Sequence, residues 1–270
     1  MFRGASFVMR TALSIAGSDS GGGAGIQADL KTFQRFGVFG TTAITAITAQ
    51  NTRGVTSWEA VSAELVRAQI DAVVVDLPPA ASKSGMLGNA AVAATVATAI
   101  RDHSLRNFVL DPVMVATSGD LLLEKDAIEV IRMQLIPLAS LVTPNLPEAA
   151  LLSGEEITDE DSMVHAAEIL VNQLGAQAAL VKGGHLNFGD RVVDVLYDGD
   201  VRAFRGIRLE TTNTHGTGCT LSAAITAQLA NGESLHAAVR RSIDYVHNAI
   251  ATAPGLGAGH GPLNHLAADR

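Results

Sequence analysis

One stretch near the end of the chain decides how the rest is interpreted: Asn213-Thr214-His215-Gly216-Thr217-Gly218-Cys219-Thr220, with mostly small residues continuing to Leu229. Two glycines therefore stand just before a predicted helix built almost wholly of small side chains. The N-terminus of a helix presents unpaired N–H groups and a positive dipole end, so it binds anions readily. Cys219 falls in the first turn, where the pKa of a thiol tends to be lowered. The stretch predicts an anion-binding loop with a proton-accepting thiolate, and the alternative is a glycine-rich loop that merely begins an ordinary helix.

Upstream of this loop, short apolar strands alternate with helical segments. The predicted strands are residues 11–16, 41–48, 73–75, 83–86, 108–111, 140–145 and 178–182. The first predicted helix begins near Ile26. Further helices are predicted at residues 90–100, 126–136, 162–174 and 235–252, in addition to the small-residue helix after Gly218. A hairpin is expected from residues 192–197 and 201–204, which Asp198-Gly199-Asp200 joins. Strands that alternate with helices indicate an α/β domain with a mostly parallel sheet.

Composition limits the possible partners. The 270 residues are 47% hydrophobic and 17% charged, which is typical of a globular protein with a large core. The net charge of −8 and the lack of any Lys/Arg cluster argue against a nucleic-acid partner. No apolar run reaches membrane-spanning length, and the single cysteine suits a reducing, cytoplasmic compartment. We expect a disordered extension at residues 1–10 and one domain over residues 11–270.

A dinucleotide-binding site is disfavoured. Gly23-Ala24-Gly25-Ile26-Gln27-Ala28 matches the G-x-G-x-x-A pattern between a strand and a helix. That fingerprint also requires an acidic residue at the end of the second strand, where Ala49-Gln50-Asn51-Thr52 stands instead. A Walker G-x-x-x-x-G-K-[ST] motif is absent as well. Any nucleotide is therefore expected to be held in another way, and a nicotinamide oxidoreductase is disfavoured.

Polar residues and glycines follow the predicted strands at their carboxyl ends, which is the edge where open α/β sheets bind ligands. The set comprises residues 17–19, Gln50, Met86, Asp111, Asn145, Lys182 and the Gly216 loop. These residues are suited to hold a polyphosphate and a metal beside a small polar substrate, in a single cleft.

Phosphoryl transfer requires charge neutralisation and alignment, and this set can supply both. The backbone amides from Gly216 to Cys219 can hold the transferred group, while Lys182 follows its charge. Asp111 and Glu148 can hold Mg²⁺, mainly through water, because Mg²⁺ keeps several of its water ligands. Cys219 can accept the proton of an attacking hydroxyl group.

Each of these residues also has a purely structural interpretation. Cys219 can be an inert small residue of the core, and Asp111 can cap a turn before a proline. Lys182 can be a surface lysine at the end of a strand. His185 and His215 can be ordinary polar loop residues. The structural interpretations weaken together, because the residues recur at the same end of successive strands.

Several segments resemble, in order and spacing, the hydroxymethylpyrimidine/phosphomethylpyrimidine kinases of thiamine synthesis. They are AGSDSGGGAGIQADLKT at 16–32, TAQNT at 48–52, KSGML at 83–87, LDPVM at 110–114, TPNLPEA at 143–149, VKGGH at 181–185 and THGTGCT at 214–220. The resemblance implies the ribokinase-like fold, a three-layer α/β/α domain. It also implies two ATP-dependent steps at one site, first on the hydroxymethyl group and then on the monophosphate, and a homodimer.

The resemblance also implies roles for individual residues. The residues expected in the pyrimidine pocket are Gly17, Ala24, Asp29, Gln50, Met86 and Val113. The residues expected on the nucleotide side are Asn145, Lys182 and Thr217, with Asp111 and Glu148 toward Mg²⁺. Cys219 with Gly216 and Gly218 is expected to form the base and the anion hole.

Two rivals remain open at this point. A pyridoxal or pyridoxine kinase would share the fold, the mechanism and a ring that bears a hydroxymethyl group; the first glycine loop and the segment around Gln50 favour the pyrimidine kinase. A non-catalytic sensor of the pyrimidine phosphate is disfavoured, because a pure binding protein needs neither Lys182 nor the Gly216 to Cys219 loop.

Overall fold

The computed structural model describes residues 9–114, 125–184 and 189–268. Within these ranges, one nine-stranded sheet lies between two layers of helices. The strands are β1 (Thr11–Asp19), β2 (Phe39–Asn51), β3 (Gly54–Ala60), β4 (Ala81–Ser84), β5 (Phe108–Leu110), β6 (Leu141–Val142), β7 (Ala179–Lys182), β8 (Arg191–Tyr197) and β9 (Val201–Ile207). The helices are α1 (Gly25–Arg35), α2 (Ala63–Asp76), α3 (Ala90–Asp102), α4 (Lys125–Val130), α5 (Leu146–Ser153), α6 (Glu160–Asn172), α7 (Thr217–Ala230) and α8 (Leu235–Ala251).

The order of the strands indicates where this sheet can form a ligand crevice. The sheet runs β3-β2-β1-β4-β5-β6-β7-β8-β9. The six strands β2, β1, β4, β5, β6 and β7 are parallel to one another, and β3, β8 and β9 are antiparallel to their neighbours. The chain builds outward from β1 to β2 and β3, and then returns to the other side of β1 with β4. This reversal between β1 and β4 is the position at which open α/β sheets form a ligand crevice.

The core has two halves, one on each face of the sheet. Side chains from α2, α3, α5 and α6 pack on one face, and those from α1, α7 and α8 pack on the other. Ten residues of α7 are buried, among them alanines, serines and threonines. These small side chains let the axis of α7 lie close to the sheet, which brings the start of this helix to the ends of the central strands.

The strand predictions were confirmed for β1, β4, β5 and the β8–β9 hairpin, within a few residues at their ends. The strand predicted at residues 73–75 was wrong, because these valines form the last turn of α2. Val66 and Ile70 are fully buried one turn apart, while Val75 is exposed. This helical burial pattern outweighs the β propensity of three consecutive valines.

Two further differences have local causes. Strand β3 was missed because it pairs with β2 at the edge of the sheet, where its exposed residues give no apolar pattern. The helix predicted over residues 126–136 is shorter: α4 ends at Val130, and a π-helical turn (Ile131–Leu135) and a 3₁₀ turn (Ile136–Leu138) follow. Pro137 lies in that last turn, and proline cannot continue an α-helix from its interior.

In the part of the chain that the structure describes, no helix combines the length and the apolar character needed to cross a bilayer. Residues 1–8 of the expected N-terminal extension lie outside the described ranges.

Candidate active site

The carboxyl ends of the parallel strands open into a cavity of about 720 Å³. One end is formed by the loop between β1 and α1, by Gln50 and by Met86. The opposite end is formed by β8, β9 and α8, and it is mainly apolar. The predicted site residues that line the cavity are Gly17, Ala24, Gln50, Met86, Asp111, Val113, Asn145, Glu148, Lys182, Gly216, Thr217, Gly218 and Cys219. Residues that are far apart in the sequence are thus brought together at one edge of the sheet.

The loop before α7 lies between the two ends of the cavity. Gly216 has a φ of 82°, a left-handed conformation that favours glycine. A Cβ atom at this position would also overlap the carbonyl oxygen of Gly23, so the two glycine loops are in direct contact. Thr217, Gly218 and Cys219 form the first turn of α7, and N–H groups in a first helical turn lack partners within the helix. The Thr217 N–H donates to the Thr214 carbonyl at 3.2 Å, and the anion site expected at this turn stays a prediction.

A lysine–aspartate pair faces this first turn. The Lys182 Nζ lies 3.1 Å from Asp111 Oδ1, and the two side chains are 15% and 1% exposed. A Cβ atom on Gly218 would lie 3.3 Å from the Lys182 Nζ, so no side chain separates the ammonium group from the loop. Ser222 and Thr143 donate further hydrogen bonds to Asp111. Burial alone would raise the pKa of Asp111, but the cations of Lys182 and Lys83 outweigh it and lower the pKa.

Glu148 is the second carboxylate of this region. It accepts hydrogen bonds from the backbone N–H of Asn145 (2.8 Å) and of Met114 (3.4 Å), while the Asn145 side chain accepts from the Glu148 N–H (2.9 Å). This reciprocal capping box begins α5. Burial raises the pKa of Glu148 to about 7, although Lys182 opposes the shift.

The expectation for the Cys219 thiol was wrong in one respect. The helix terminus predicted a lowered pKa, but burial raises the pKa of Cys219 to about 11, and the nearby Lys83 cation compensates only in part. The thiol lines the cavity as expected. A thiol with this pKa is mainly protonated at neutral pH.

The end of the cavity that contains Gln50 and Met86, named here the acceptor end, combines apolar walls with the side-chain amide of Gln50. Met86 packs over Gly17, where a Cβ atom would lie 3.2 Å from the methionine sulfur. The Gln50 side chain approaches Thr48 Oγ1 at 3.3 Å and His215 Nε2 at 3.5 Å. Val113 and Ala24 complete the wall.

Asp29 is not brought to this wall. Its side chain is fully buried, and it lies 2.9 and 3.0 Å from the Nζ of Lys83, which is also fully buried. Ser14 donates a further hydrogen bond to it. Asp29 therefore forms a buried ion pair beneath the cleft and does not line the cavity. The prediction that its side chain lines the pyrimidine pocket is contradicted by this geometry.

Sequence reasoning assigned no individual role to Asp19, His215 or Lys83. Asp19 accepts hydrogen bonds from the N–H groups of Gly21, Gly23 and Ala24 and holds the first glycine loop in place. The buried His215 lies 2.9 Å from Asp19 through its Nε2, which joins the two glycine loops. The position of Asp19 directly before a glycine cluster could have indicated that its carboxylate binds the N–H groups of that loop. The pairing of Lys83 with Asp29 had no signal in the sequence, and His185 lies outside the described residues.

No cluster of three or more His, Cys, Asp or Glu side chains suited to a metal occurs among the described residues. Asp111 and Glu148, the two carboxylates expected to face Mg²⁺, both line the cleft near Lys182, and Asp194 is a third carboxylate in the same region. Two carboxylates do not form a closed cage, but they fit an ion that keeps its water ligands.

The fold and the cleft together define a kinase of the ribokinase-like class. A family model described as phosphomethylpyrimidine kinase matches residues 19–264. The chain belongs to that family, and it is an enzyme of the kinase type.

Named relatives and solved structures agree with this assignment. The chain is 56% identical over 260 residues to the hydroxymethylpyrimidine/phosphomethylpyrimidine kinase of Rhizobium meliloti, covering 94% of this chain and 96% of that protein. It is similar to an ADP complex of pyridoxal kinase from Bacillus subtilis, with 39% identity, a TM-score of 0.88 and coverage of 96% and 98%. It is also similar to phosphomethylpyrimidine kinase from Clostridium difficile, with 41% identity, a TM-score of 0.80 and coverage of 89% and 99%.

Proposed function

We propose that the protein transfers the terminal phosphoryl group of ATP to 4-amino-5-hydroxymethyl-2-methylpyrimidine and then to the resulting monophosphate, which yields the diphosphate for thiamine diphosphate synthesis. The observation that carries the proposal is the contact between the Gly216 loop and the Lys182–Asp111 pair, in a cavity whose other end holds Gln50. Family membership supports the same substrates.

The acceptor end suits a flat, polar ring. Met86 and Val113 offer apolar surfaces for the ring faces, and Gln50 carries both a donor and an acceptor for the aminopyrimidine edge. A ring held there would direct its hydroxymethyl group toward the Gly216 loop. The same loop would then hold either the hydroxyl group or, in the second step, the monophosphate.

The donor end suits ATP. Apolar residues of β8, β9 and α8 form a wall for the base, and Asn145, Thr217 and Lys182 line the path to the loop. The Lys182 ammonium group would neutralise the negative charge of the transferred group as it moves. The N–H groups in the first turn of α7 would hold the oxygens of that group. Most of the catalytic effect is assigned to these fixed donors, because phosphoryl transfer has a loose transition state.

Asp111 and Glu148 would hold Mg²⁺ through its water ligands, and the ion would neutralise charge on the ATP phosphates. Cys219 is proposed as the acceptor of the hydroxyl proton. Since burial raises the pKa of the thiol to about 11, this role requires that the bound substrates and Lys182 favour its ionised form, and we expect its contribution to be smaller than that of the fixed donors.

A second activity, phosphorylation of pyridoxal, is favoured by the similarity to the pyridoxal kinase fold at a TM-score of 0.88. We also propose a cytoplasmic location and, by the family resemblance, a homodimer. Neither proposal alters the assignment of the cleft.

The test is ADP release by the purified protein with Mg-ATP and, separately, the hydroxymethylpyrimidine, its monophosphate and pyridoxal. Turnover with both pyrimidines supports the proposal, and turnover with the monophosphate alone restricts it to the second step. Activity with pyridoxal alone would overturn the substrate assignment. The Lys182→Met variant serves as the control that any turnover comes from this cleft.

A further inference from the structure

A segment after α8 crosses from one side of the cleft to the other. Residues 255–265, named here the C-terminal strap, contain no helix and only one isolated bridge, between His215 and Pro262. No residue of the strap lines the cavity among the described residues. The mechanism proposed above therefore gives the strap no role.

One side of the strap is fixed to the turn that follows Gln50. The His260 N–H donates to the Thr52 carbonyl at 2.7 Å, and the Gly259 N–H donates to Thr52 Oγ1 at 3.3 Å. A Cβ atom at Gly259 would overlap the same carbonyl oxygen. Thr52 lies just beyond the end of β2, two residues after Gln50, so this contact sets the position of the acceptor end.

The next residues of the strap are fixed to the loop before α7. The carbonyl of Gly261 accepts a hydrogen bond from the His215 N–H at 3.1 Å. A Cβ atom at Gly261 would overlap the side-chain oxygen of Asn213. Further on, His265 Nε2 lies 3.2 Å from Thr220 Oγ1 in α7. This side of the strap therefore contacts the Gly216 loop and the first turn of α7.

We propose that residues 257–261 are a positioning element for phosphoryl transfer, in which Gly259 sets the acceptor side of the cleft and Gly261 sets the phosphoryl side. This inference rests on the proposed function. The two contacts are only two residues apart in the chain, so the strap ties the turn after Gln50 to the residues around the Gly216 loop, in addition to the direct approach of Gln50 to His215 at 3.5 Å. A misplacement of about 1 Å between reacting groups can lower a rate by about 100-fold, which gives these contacts a catalytic consequence.

The test compares Gly259→Ala and Gly261→Ala with Leu256→Ala as the matched control, since Leu256 is 60% exposed within the same segment. The kcat, the KM for the hydroxymethylpyrimidine and the thermal unfolding midpoint are measured for each. We expect Gly259→Ala to raise the KM for the pyrimidine about tenfold with kcat largely kept. We expect Gly261→Ala to lower kcat by about 10- to 100-fold with little change in that KM.

A rescue variant separates positioning from loss of folding. Asn213→Ala removes the oxygen that a Cβ atom at Gly261 would overlap, so the Asn213→Ala/Gly261→Ala double variant should recover most of the lost kcat relative to Gly261→Ala. If Gly261→Ala does not fold, the double variant is compared with Asn213→Ala alone, and equal kinetics support the proposal.

The proposal is overturned if both glycine variants change the same kinetic parameter by the same factor, or if neither differs from Leu256→Ala. It is also overturned if removal of the Asn213 side chain restores nothing. A wild-type protein that turns over neither pyrimidine would instead contradict the proposed function, and this result is visible in the same assay before any variant is considered.

Discussion

Of two lysine–aspartate pairs at the same cleft, one lies beneath it and the other lines it. Lys83 and Asp29 are both fully buried, with Nζ–O distances of 2.9 and 3.0 Å. Lys182 and Asp111 are 3.1 Å apart, but the lysine keeps 15% of its side-chain surface exposed. Lys83 lies within a central strand, whereas Lys182 is the last residue of β7. We call them the sealed pair and the open pair.

The difference shows how one kind of ion pair can serve either the fold or the ligand. In the sealed pair, the carboxylate of Asp29 also receives a hydrogen bond from Ser14, although burial outweighs Lys83 and Ser14 and raises the pKa of Asp29. Burial would lower the pKa of Lys83, but the Asp29 carboxylate and other nearby anions outweigh it and raise the pKa to about 12. In the open pair, the ammonium group borders Gly218 and the cavity, where a phosphate can compete for it.

The largest expected effect concerns the stability of the sealed pair. Lys83→Met leaves Asp29 buried without its counter-charge, and breaking such a pair is expected to reduce the free energy of unfolding by about 3 to 5 kcal/mol. Urea unfolding measures the loss, with Lys31→Met as the exposed-lysine control. Replacing both partners, as Asp29→Leu/Lys83→Met, should recover much of it. A loss below about 1 kcal/mol in the single variant would show that the pair is not held as an ion pair.

The second effect concerns the activity of the open pair. Lys182→Met removes the cation beside the anion loop and is expected to reduce kcat by about 10²- to 10³-fold. Its unfolding free energy should fall less than that of Lys83→Met, because water can enter the cleft and solvate Asp111. ADP release and urea unfolding measure the two quantities. If the stability loss exceeded that of Lys83→Met, the distinction between the pairs would be wrong.

The third effect concerns the pH dependence of stability and follows from Glu148, a buried carboxylate near the open pair. Its pKa is raised from 4.5 to about 7, so the unfolded chain ionises first as the pH rises. The contribution of Glu148 to the stability of the folded state should therefore fall between about pH 4.5 and pH 7 and become constant above that range. We expect the wild type to lose roughly 1 to 3 kcal/mol relative to Glu148→Gln across this window. Urea unfolding of both proteins at pH 5 and pH 8 provides the measurement, and parallel curves would contradict the raised pKa.

The smallest effect concerns Cys219, which lies within the electrostatic influence of both lysines. Cys219→Ala should lower kcat by about tenfold and leave the KM for the pyrimidine nearly unchanged, because a loose transition state needs only modest help from a base. Steady-state ADP release distinguishes the two parameters. An unchanged kcat would remove the thiolate-base assignment and leave the loop amides and Lys182 as the catalytic elements.

Much of the fold could be predicted because its signals are local. The apolar run of β1, the glycine loop after it, the β8–β9 hairpin and the small-residue helix α7 each follow from a few adjacent residues. The rule that ligands bind at the carboxyl ends of parallel strands then grouped Gln50, Asp111 and Lys182 in one cleft. Strand β3 and the end of α2 were missed, since edge pairing and helical burial depend on neighbours that the local sequence does not specify.

The site was less predictable where a property depends on burial. The position of Cys219 in a first helical turn indicated a lowered pKa, but desolvation in the folded protein has the larger effect. Asp29 matched a motif, yet its direction is set by the parallel register of β1 and β4, which places Ser14 beside Lys83. Residue type and order therefore identified the cleft, while the electrostatics within it required the tertiary structure.

The single cysteine has a consequence for oxidation chemistry. Only the thiolate reacts rapidly with oxidants, and with a pKa raised to about 11 little of the Cys219 thiol is ionised at pH 7. The chain contains no second cysteine, so a sulfenic acid formed at Cys219 has no partner within the chain to convert it to a disulfide. The raised pKa that makes this thiol a weak base at neutral pH thus also slows an oxidation that the chain could not reverse by an internal disulfide.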